Sequence, residues 1–407
     1  ASDLRLLALT VALALVITSI PPVVARLSAP ADRVFAGITY NVHDAAQYLS
    51  WMREAREGFF TENRLTSEPN PAVFVNLHWW LAGRIGAALG LSLAASYEAF
   101  RLVAVPLLLA VLYGWSALLF PPGERRTTCF LLATLSSGFG WALVVLKQFT
   151  GELIFPHDVY LMMGNSFFTM VASPHLTFGA ALTALTLLAA YRAAERDALA
   201  ASLGAGALAL FLGLGHIYDL VTVWGVVAAD AVLRVVRGGW ARRRVAPAAL
   251  VVILSAPAAL YWGWVSSGAN PTWRQALAQY GNLGVYSPDP FHLIVLMGLP
   301  LVLALGAYRG FTPLAGRDER PGYMRVWFAV TLLVIYLPVG FQAMLLTGFQ
   351  VPLAALATWA LYDHLLPWLR ARGPRSGGAS RLRDRVIRWA PALLLLADLR
   401  RLHRLAA

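Results

Sequence analysis

Charge is scarce in this chain of 407 residues: 13% are Asp, Glu, Lys or Arg, while 58% are hydrophobic. A water-soluble domain usually carries about 25% charged residues. Halving that share leaves too little polar surface to cover a globule in water, and the mean hydropathy of +0.62 agrees. The solvent is mostly lipid. Cysteine is nearly absent too: Cys129 stands alone, which excludes an intrachain disulfide framework and a cysteine-based metal site. Lysine occurs once, at Lys147, so arginine supplies nearly all the positive side of a net charge of +12. Such an excess can signal nucleic acid, but these arginines fall between apolar stretches rather than in one basic domain. They read as topology signals and lipid-headgroup contacts, with no nucleic-acid partner. A glycine-rich nucleotide loop, a Walker motif and a Gly-x-Ser-x-Gly elbow are also missing, which argues against soluble nucleotide chemistry.

What is abundant is apolar runs of membrane length. They fall at 4–26, 94–120, 126–147, 166–191, 199–215, 218–236, 245–264, 290–309, 324–343 and 349–369. An all-α fold is expected: a polytopic transmembrane helical bundle of about 10–11 spans with outer-face juxtamembrane helices. The first run, Leu4 to Leu27, follows Arg5 and contains the small Ala25, as a signal peptide would. Its length and the many later spans make it a retained first helix. The segment 72–90 holds Asn76, His78 and Arg84, each costly at the bilayer centre, and is expected to skirt or only partly enter the membrane.

With 72–90 not spanning, the arginine-rich connections Glu124–Arg126, Arg192–Asp197, Arg237–Arg244 and Arg317–Arg320, and the tail from Arg370, share one side. That side is cytoplasmic, with the N-terminus. The segments 27–71, 148–165 and 265–289 and the turn at His216 then lie outside. The 27–71 segment carries four arginines against six acids. The expected organisation is one membrane domain over 1–369, with 27–71 as its first outer loop, and a basic cytoplasmic or interfacial tail over 370–407. Within that tail, Gly373 to Ser380 is linker-like, and Ala390 to Leu396 is short enough to read as an interfacial helix. Richness in alanine and arginine with little lysine suits a bacterial plasma membrane protein.

Polar groups that could carry chemistry gather on the outer side. In 37–54, Tyr48, Leu49, Trp51, Met52 and Ala55 recur at helical spacing, so an amphipathic surface helix is predicted. His43 and Asp44 open it, where unpaired backbone donors and the helix dipole favour a carboxylate. Asp44 with Gln47 three residues on also fits a simple capping box. Further along come His157 and Asp158, then Ser173-Pro174-His175, then His216, Tyr218 and Asp219. Ionisable groups at membrane depth tend to face protein interiors or water-filled cavities, so a shared cavity is expected. Each also has a structural reading: His175 as a packing donor after a proline, His216 as a turn residue, Asp219 as a helix cap. His157, Asp158, His175, His216 and Asp219 are suitable metal ligands, and a divalent cation such as Mg or Mn is a candidate cofactor, although no tight His-x-x-x-His spacing occurs. A haem held by His175 and His216 is weaker still. The outer loop 265–289 carries Trp273, Arg274, Tyr280 and Asn282, a mixture that suits sugar binding or an aromatic belt equally. Phe341-Gln342 brackets another outer turn.

Together these features resemble the GT-C class of membrane glycosyltransferases, which use polyprenyl-phosphate-linked sugars. In that class the first helix leads to an outer loop with membrane-surface helices and an acidic residue that acts as catalytic base or metal ligand. Asp44 stands at the matching place, preceded by His43 where the class often pairs two acids. Glu68-Pro69-Asn70-Pro71, leading into a hydrophobic helix and then Leu-Gly-Leu-Ser with Arg101 beyond, resembles the class's proline-marked approach to its second membrane segment. The likeness covers about the first 220 residues.

The resemblance implies transfer of a sugar from polyprenyl phosphate to a lipid, glycan or protein acceptor on the outer face. Asp44 would be the base. His43, His157, Asp158, His175, His216, Tyr218, Asp219, Trp273 and Gln342 would bind substrate. Arg53 would hold the leaving phosphate, which needs charge-assisted donors. Membrane lipids and other membrane proteins are the expected partners. The alternative is a non-catalytic subunit or a transporter of a membrane complex. Transporters often show inverted repeats and midplane ionisable groups, whereas no repeat is visible here and the ionisable groups collect toward one face.

Overall fold

A computed structural model describes residues 2–64, 66–151, 161–196, 198–282, 284–309 and 319–372. Their regular structure is helical: α1 (Ser2–Leu27), α2 (Val42–Ala55), α3 (Leu77–Ala88), α4 (Leu93–Leu119), α5 (Glu124–Leu135), α6 (Gly140–Thr150), α7 (Ser166–Ala172), α8 (Pro174–Arg196), α9 (Leu199–Gly213), α10 (Asp219–Gly238), α11 (Arg242–Val265), α12 (Pro271–Asn282), α13 (Pro290–Gly306), α14 (Glu319–Val334), α15 (Gln350–Trp359) and α16 (Leu366–Arg372). A π turn, Ala360–Leu365, joins the last two. Among the described residues, four helices are long and apolar enough to cross a bilayer: Leu4–Leu27, Leu93–Leu119, Pro174–Arg196 and Arg242–Val265. That is the signature of a multi-pass membrane protein. The all-α expectation holds among the described residues, where extended structure amounts to the isolated bridge between Thr61 and Phe74.

Several expected spans are interrupted, each for a local reason. The run 126–147 divides between α5 and α6 at Ser136-Ser137-Gly138, residues that favour caps and turns over helix interiors. In 166–191 the break falls at Ser173, because the residue before a proline is driven out of the helical region; Pro174 then opens α8 as a first-turn proline. Within 290–309, α13 kinks at Gly298, φ 65° and ψ −155°, two residues before Pro300, which has no N–H to return to Leu296. The run 324–343 is helical only to Val334, ahead of Pro338. Helix α3, at 12 residues, rises about 18 Å, short of the ~30 Å hydrocarbon core.

The chain folds as two compact units. The first takes residues from 1–111, 169–286 and 330–347; the second takes them from 112–168, 287–329 and 348 onward. In the first, α9 packs between α8 and α11, and α10 lies against both of those. The buried face of α9 is Ser202, Ala205, Gly206, Ala209, Leu212 and Gly213, all but Leu212 small residues that let helix backbones approach closely. Helix α2 lies on α3, and Met52 and Trp79 from these helices share one apolar core with Tyr97 of α4. Beside it, Phe74, Val265 and Trp273 form a second apolar core with Trp51 and Trp262 packed on it. Tyr261 clamps the chain entering α3: its hydroxyl donates to Val73 O at 2.9 Å and accepts from the Val75 N–H at 2.6 Å.

In the second unit, α15 packs against α5 and α13. The two helix breaks there meet: the Phe139 N–H donates to Val295 O at 2.7 Å, a carbonyl released by the Gly298 kink. Gln350 bridges the same region, accepting from Ser136 Oγ at 3.2 Å and donating to Gly164 O. Backbone groups set free inside an apolar body need such partners.

Candidate functional site

The site grows from a short connection that fits only one way. Asn76 caps α3 by accepting the Trp79 N–H at 3.3 Å, and its amide donates to Gly215 O at 2.7 Å. The Leu77 N–H reaches Leu214 O at 3.0 Å. The start of α3 is thereby locked against the turn between α9 and α10, which carries His216 and Asp219. His78, the second residue of α3, drops onto that turn. Its Nε2 lies 3.2 Å from Phe211 O, the Phe178 and Phe211 rings flank it, and its Nδ1 is buried without a partner.

His216 and Asp219 sit beyond it. His216 Nδ1 is 2.8 Å from Asp219 Oδ2, although the N–H axis points off the oxygen and no aligned bond forms. Thr183 Oγ1, from the middle of α8, donates to the same Oδ2 at 3.0 Å. The second carboxylate oxygen, Oδ1, is buried with no partner. His175 enters from the first turn of α8, its Nδ1 2.9 Å from Ser173 Oγ and its ring 5.7 Å from that of His216. The other side of His175 is covered by Tyr48 of α2, at 4.5 Å, and Trp79 of α3, at 5.3 Å, which stack on each other at 4.7 Å. His78, His175, His216 and Asp219 are all under 9% exposed.

Burial holds the His78 imidazole in its neutral form, and the neighbouring His216 adds to the effect; together they push it down to about 3. A charged ring there would lose its hydration with no counter-charge beside it.

Three expected site residues therefore come together: His175, His216 and Asp219. Tyr218 adjoins them, its ring 5.9 Å from His216 and 4.6 Å from Phe341. The others lie elsewhere. Asp44 is in the first turn of α2, half-buried, and accepts from Asn41 Nδ2 at 2.5 Å. The helix begins at Val42, so Asp44 is inside it and does not cap it; the expected capping box with Gln47 is absent. Asn41, before the helix, holds a left-handed conformation at φ 49° that non-glycine residues seldom adopt. His43 is the second residue of α2. Arg53 is exposed in the last turn of that helix. Trp273 is buried against Phe74, at 4.7 Å between rings, rather than turned to the outside. Gln342 donates to Leu337 O at 2.7 Å within its own turn. His157 and Asp158 fall outside the described residues.

The cluster also recruits residues that sequence reading did not assign to a site. Tyr48 and Trp79 passed as amphipathic and apolar positions, and Thr183 gives no signal in a run of alanine and leucine. His78 did give one, as a costly polar group in an apolar segment. Among the described residues, no three His, Cys, Asp or Glu side chains approach closely enough to hold a metal ion. His216, Asp219 and His175 therefore do not form a divalent-cation site by themselves. No family model matches the chain, and the curated proteins contain no match to its sequence.

Proposed function

We propose that the protein is a multi-pass membrane glycosyltransferase of the GT-C type, moving a sugar from polyprenyl phosphate to a lipid, glycan or protein acceptor. In this reading the interrupted helices also cross the bilayer, in broken pieces, for about ten crossings in all. The N-terminus and the arginine-rich connections face the cytoplasm of a bacterial cell. The observation that carries the proposal is the setting of Asp44. After the first membrane-length helix, Asn41, held in a left-handed conformation, aims its amide at this carboxylate, which is half-buried in the first turn of a surface helix. Residues held in sparsely populated backbone conformations cluster where function needs orientation.

Chemically, Asp44 would take the proton of the attacking acceptor hydroxyl as the bond to the sugar's anomeric carbon forms. The polyprenyl phosphate leaves with the electron pair, and Arg53, exposed on the same helix, offers it charge-assisted donors. General-base catalysis contributes about 10²–10⁴-fold. With the protein in lipid nanodiscs, radiolabelled polyprenyl-phosphate sugars as donors and a membrane glycolipid extract as acceptor, label should move to the acceptor. Asp44→Asn should slow transfer at least about 100-fold, and Arg53→Gln should raise the KM for the donor. Undiminished transfer by Asp44→Asn removes the base assignment; failure to bind or consume any donor removes the class.

One observation favours a second reading, a transport role. The paired breaks at 136–139 and Gly298 resemble the discontinuous helices of transporters. Uptake of a labelled solute into proteoliposomes, with no sugar transfer, would favour it.

A further inference from the structure

Helix α3 turns an apolar face outward. Ile85 and Leu89 are 55% and 67% exposed, Ala88 is open and Leu81 is half-buried, whereas a helix face turned to water is normally polar. Past the end of α2, Phe59 and Phe60 are exposed as well, their rings 5.0 Å apart, with Phe59 5.3 Å from Trp80 of α3. Two half-buried arginines stand beside this patch. Arg56 donates through Nη2 to Leu91 O at 2.9 Å and reaches Ser96 Oγ at 3.4 Å. Arg84 lies over the Trp80 ring at 5.7 Å and donates to Arg56 O at 3.1 Å and Gly58 O at 3.4 Å. Carbonyls accept these bonds without cancelling the charge. Among the described residues neither guanidinium pairs with a carboxylate: Glu54 and Glu62 hold Arg64, and Glu98 holds Arg101.

We propose that this edge of the first unit is a site for an anionic phospholipid. Phe59, Phe60, Ile85 and Leu89 sink among the acyl chains of one leaflet, and Arg56 and Arg84 hold the lipid phosphate at its surface. Arg56 is bonded to Leu91 and to Ser96, at the first turn of the membrane-length α4, so it sits at the level where that helix enters the bilayer. Only Nη2 of Arg56 is engaged by the protein, and guanidinium N–H groups match phosphate oxygens in a fork. The apolar stem of an arginine lies along apolar surface while its head stays among the headgroups. Helix α3, with a rise of about 18 Å, suits a segment that lies in the interface rather than crossing it. A soluble anion would match the arginines and leave the phenylalanine pair, Ile85 and Leu89 in water; a lipid covers both. The proposal rests on the membrane embedding of the chain and not on sugar transfer.

The test is native mass spectrometry of the full chain, delipidated in detergent and titrated with phosphatidylglycerol, phosphatidylcholine or inorganic phosphate. The wild type should hold phosphatidylglycerol more tightly than phosphatidylcholine, and inorganic phosphate should not displace it. Arg56→Gln combined with Arg84→Gln should remove one tightly bound phosphatidylglycerol, its affinity falling about 25-fold, roughly fivefold for each charge. An unchanged number of tightly bound lipids overturns the proposal. So does displacement by inorganic phosphate, which would make this a site for a soluble anion. A second arm covers the case in which the arginine variant does not fold. In nanodiscs, with the buried Cys129 changed by Cys129→Ser, a nitroxide attached through Phe60→Cys should collide with bilayer-dissolved oxygen more often than with a water-soluble nickel chelate. The reverse ratio overturns the proposal. Neither arm needs a donor sugar, so failure here and failure of the transferase reading are separate results.

Discussion

The imidazole of His78 lies directly on the backbone of Gly215. A β-carbon at that position would come within 2.2 Å of the ring's Cγ and Nδ1, closer than any real contact. Side-chain absence at Gly215 is therefore what allows α3 to dock on the turn between α9 and α10. Gly215→Ala should destabilise the protein by roughly 1–3 kcal/mol or more, the range for overpacking a core, seen as a lower thermal midpoint in detergent. Adding His78→Ala should recover part of the loss. The non-additive portion of that double-mutant cycle measures the contact.

His78 also sets a pH dependence. Its value is 6.5 when unperturbed and about 3 in the fold, so the unfolded chain takes up a proton that the folded one refuses. The contribution is therefore intact above pH 6.5 and is lost as pH falls toward 3. The expected slope is up to about 1.4 kcal/mol per pH unit within that window. Thermal unfolding from pH 7.5 to pH 4 should show it, and His78→Gln, which cannot titrate, should flatten it.

Arg101 fastens the first helix. Buried in α4, it meets Glu98 with Nε at 3.0 Å, donates to Ser19 Oγ at 2.6 Å and bonds Thr18 of the largely exposed α1. Breaking a buried pair by removing one partner costs about 3–5 kcal/mol. Because Glu98 is 32% exposed, water keeps part of its charge solvated, and Arg101→Met should cost about 2–3 kcal/mol. Glu98→Gln in the same chain should restore part of it. Loss of thermal stability without that recovery would mean that packing, not charge, is what Arg101 supplies.

In the second unit, Gly298 holds a conformation open mainly to glycine, and a β-carbon there would lie 2.6 Å from Ser137 O. Gly298→Ala should cost at least roughly 2 kcal/mol from backbone strain and overlap combined. The same substitution at Gly204, where nothing lies within 4 Å, should be neutral or stabilising, as expected for an open helical glycine. Parallel thermal melts check both.

Much of this was legible in residue order. Low charge and long apolar runs marked a lipid-embedded helical body, and four helices have the length and composition to match. The spacing of Tyr48, Met52 and Ala55 anticipated α2, and the cost of Asn76 and His78 in an apolar stretch flagged a segment that proves to be a 12-residue helix. Of the residues expected at a site, the fold places His175, His216 and Asp219 side by side, while hydrophobic packing draws Trp273 inward against Phe74. Helix breaks at Ser136–Phe139 and Gly298 were hidden, because periodicity reports which faces are apolar and not whether a backbone bends.

Sequence alone determined the solvent of this protein, since hydropathy adds up residue by residue and needs no partner. It also determined that α2 is an amphipathic surface helix, because its apolar positions recur at helical spacing. Tertiary structure decided which polar groups share an environment: Thr183, His78 and Asp219 are far apart in the chain, and only helix packing, with glycine where two backbones or a ring must touch, brings them together. Proximity across the chain depends on that three-dimensional path, which no local pattern encodes.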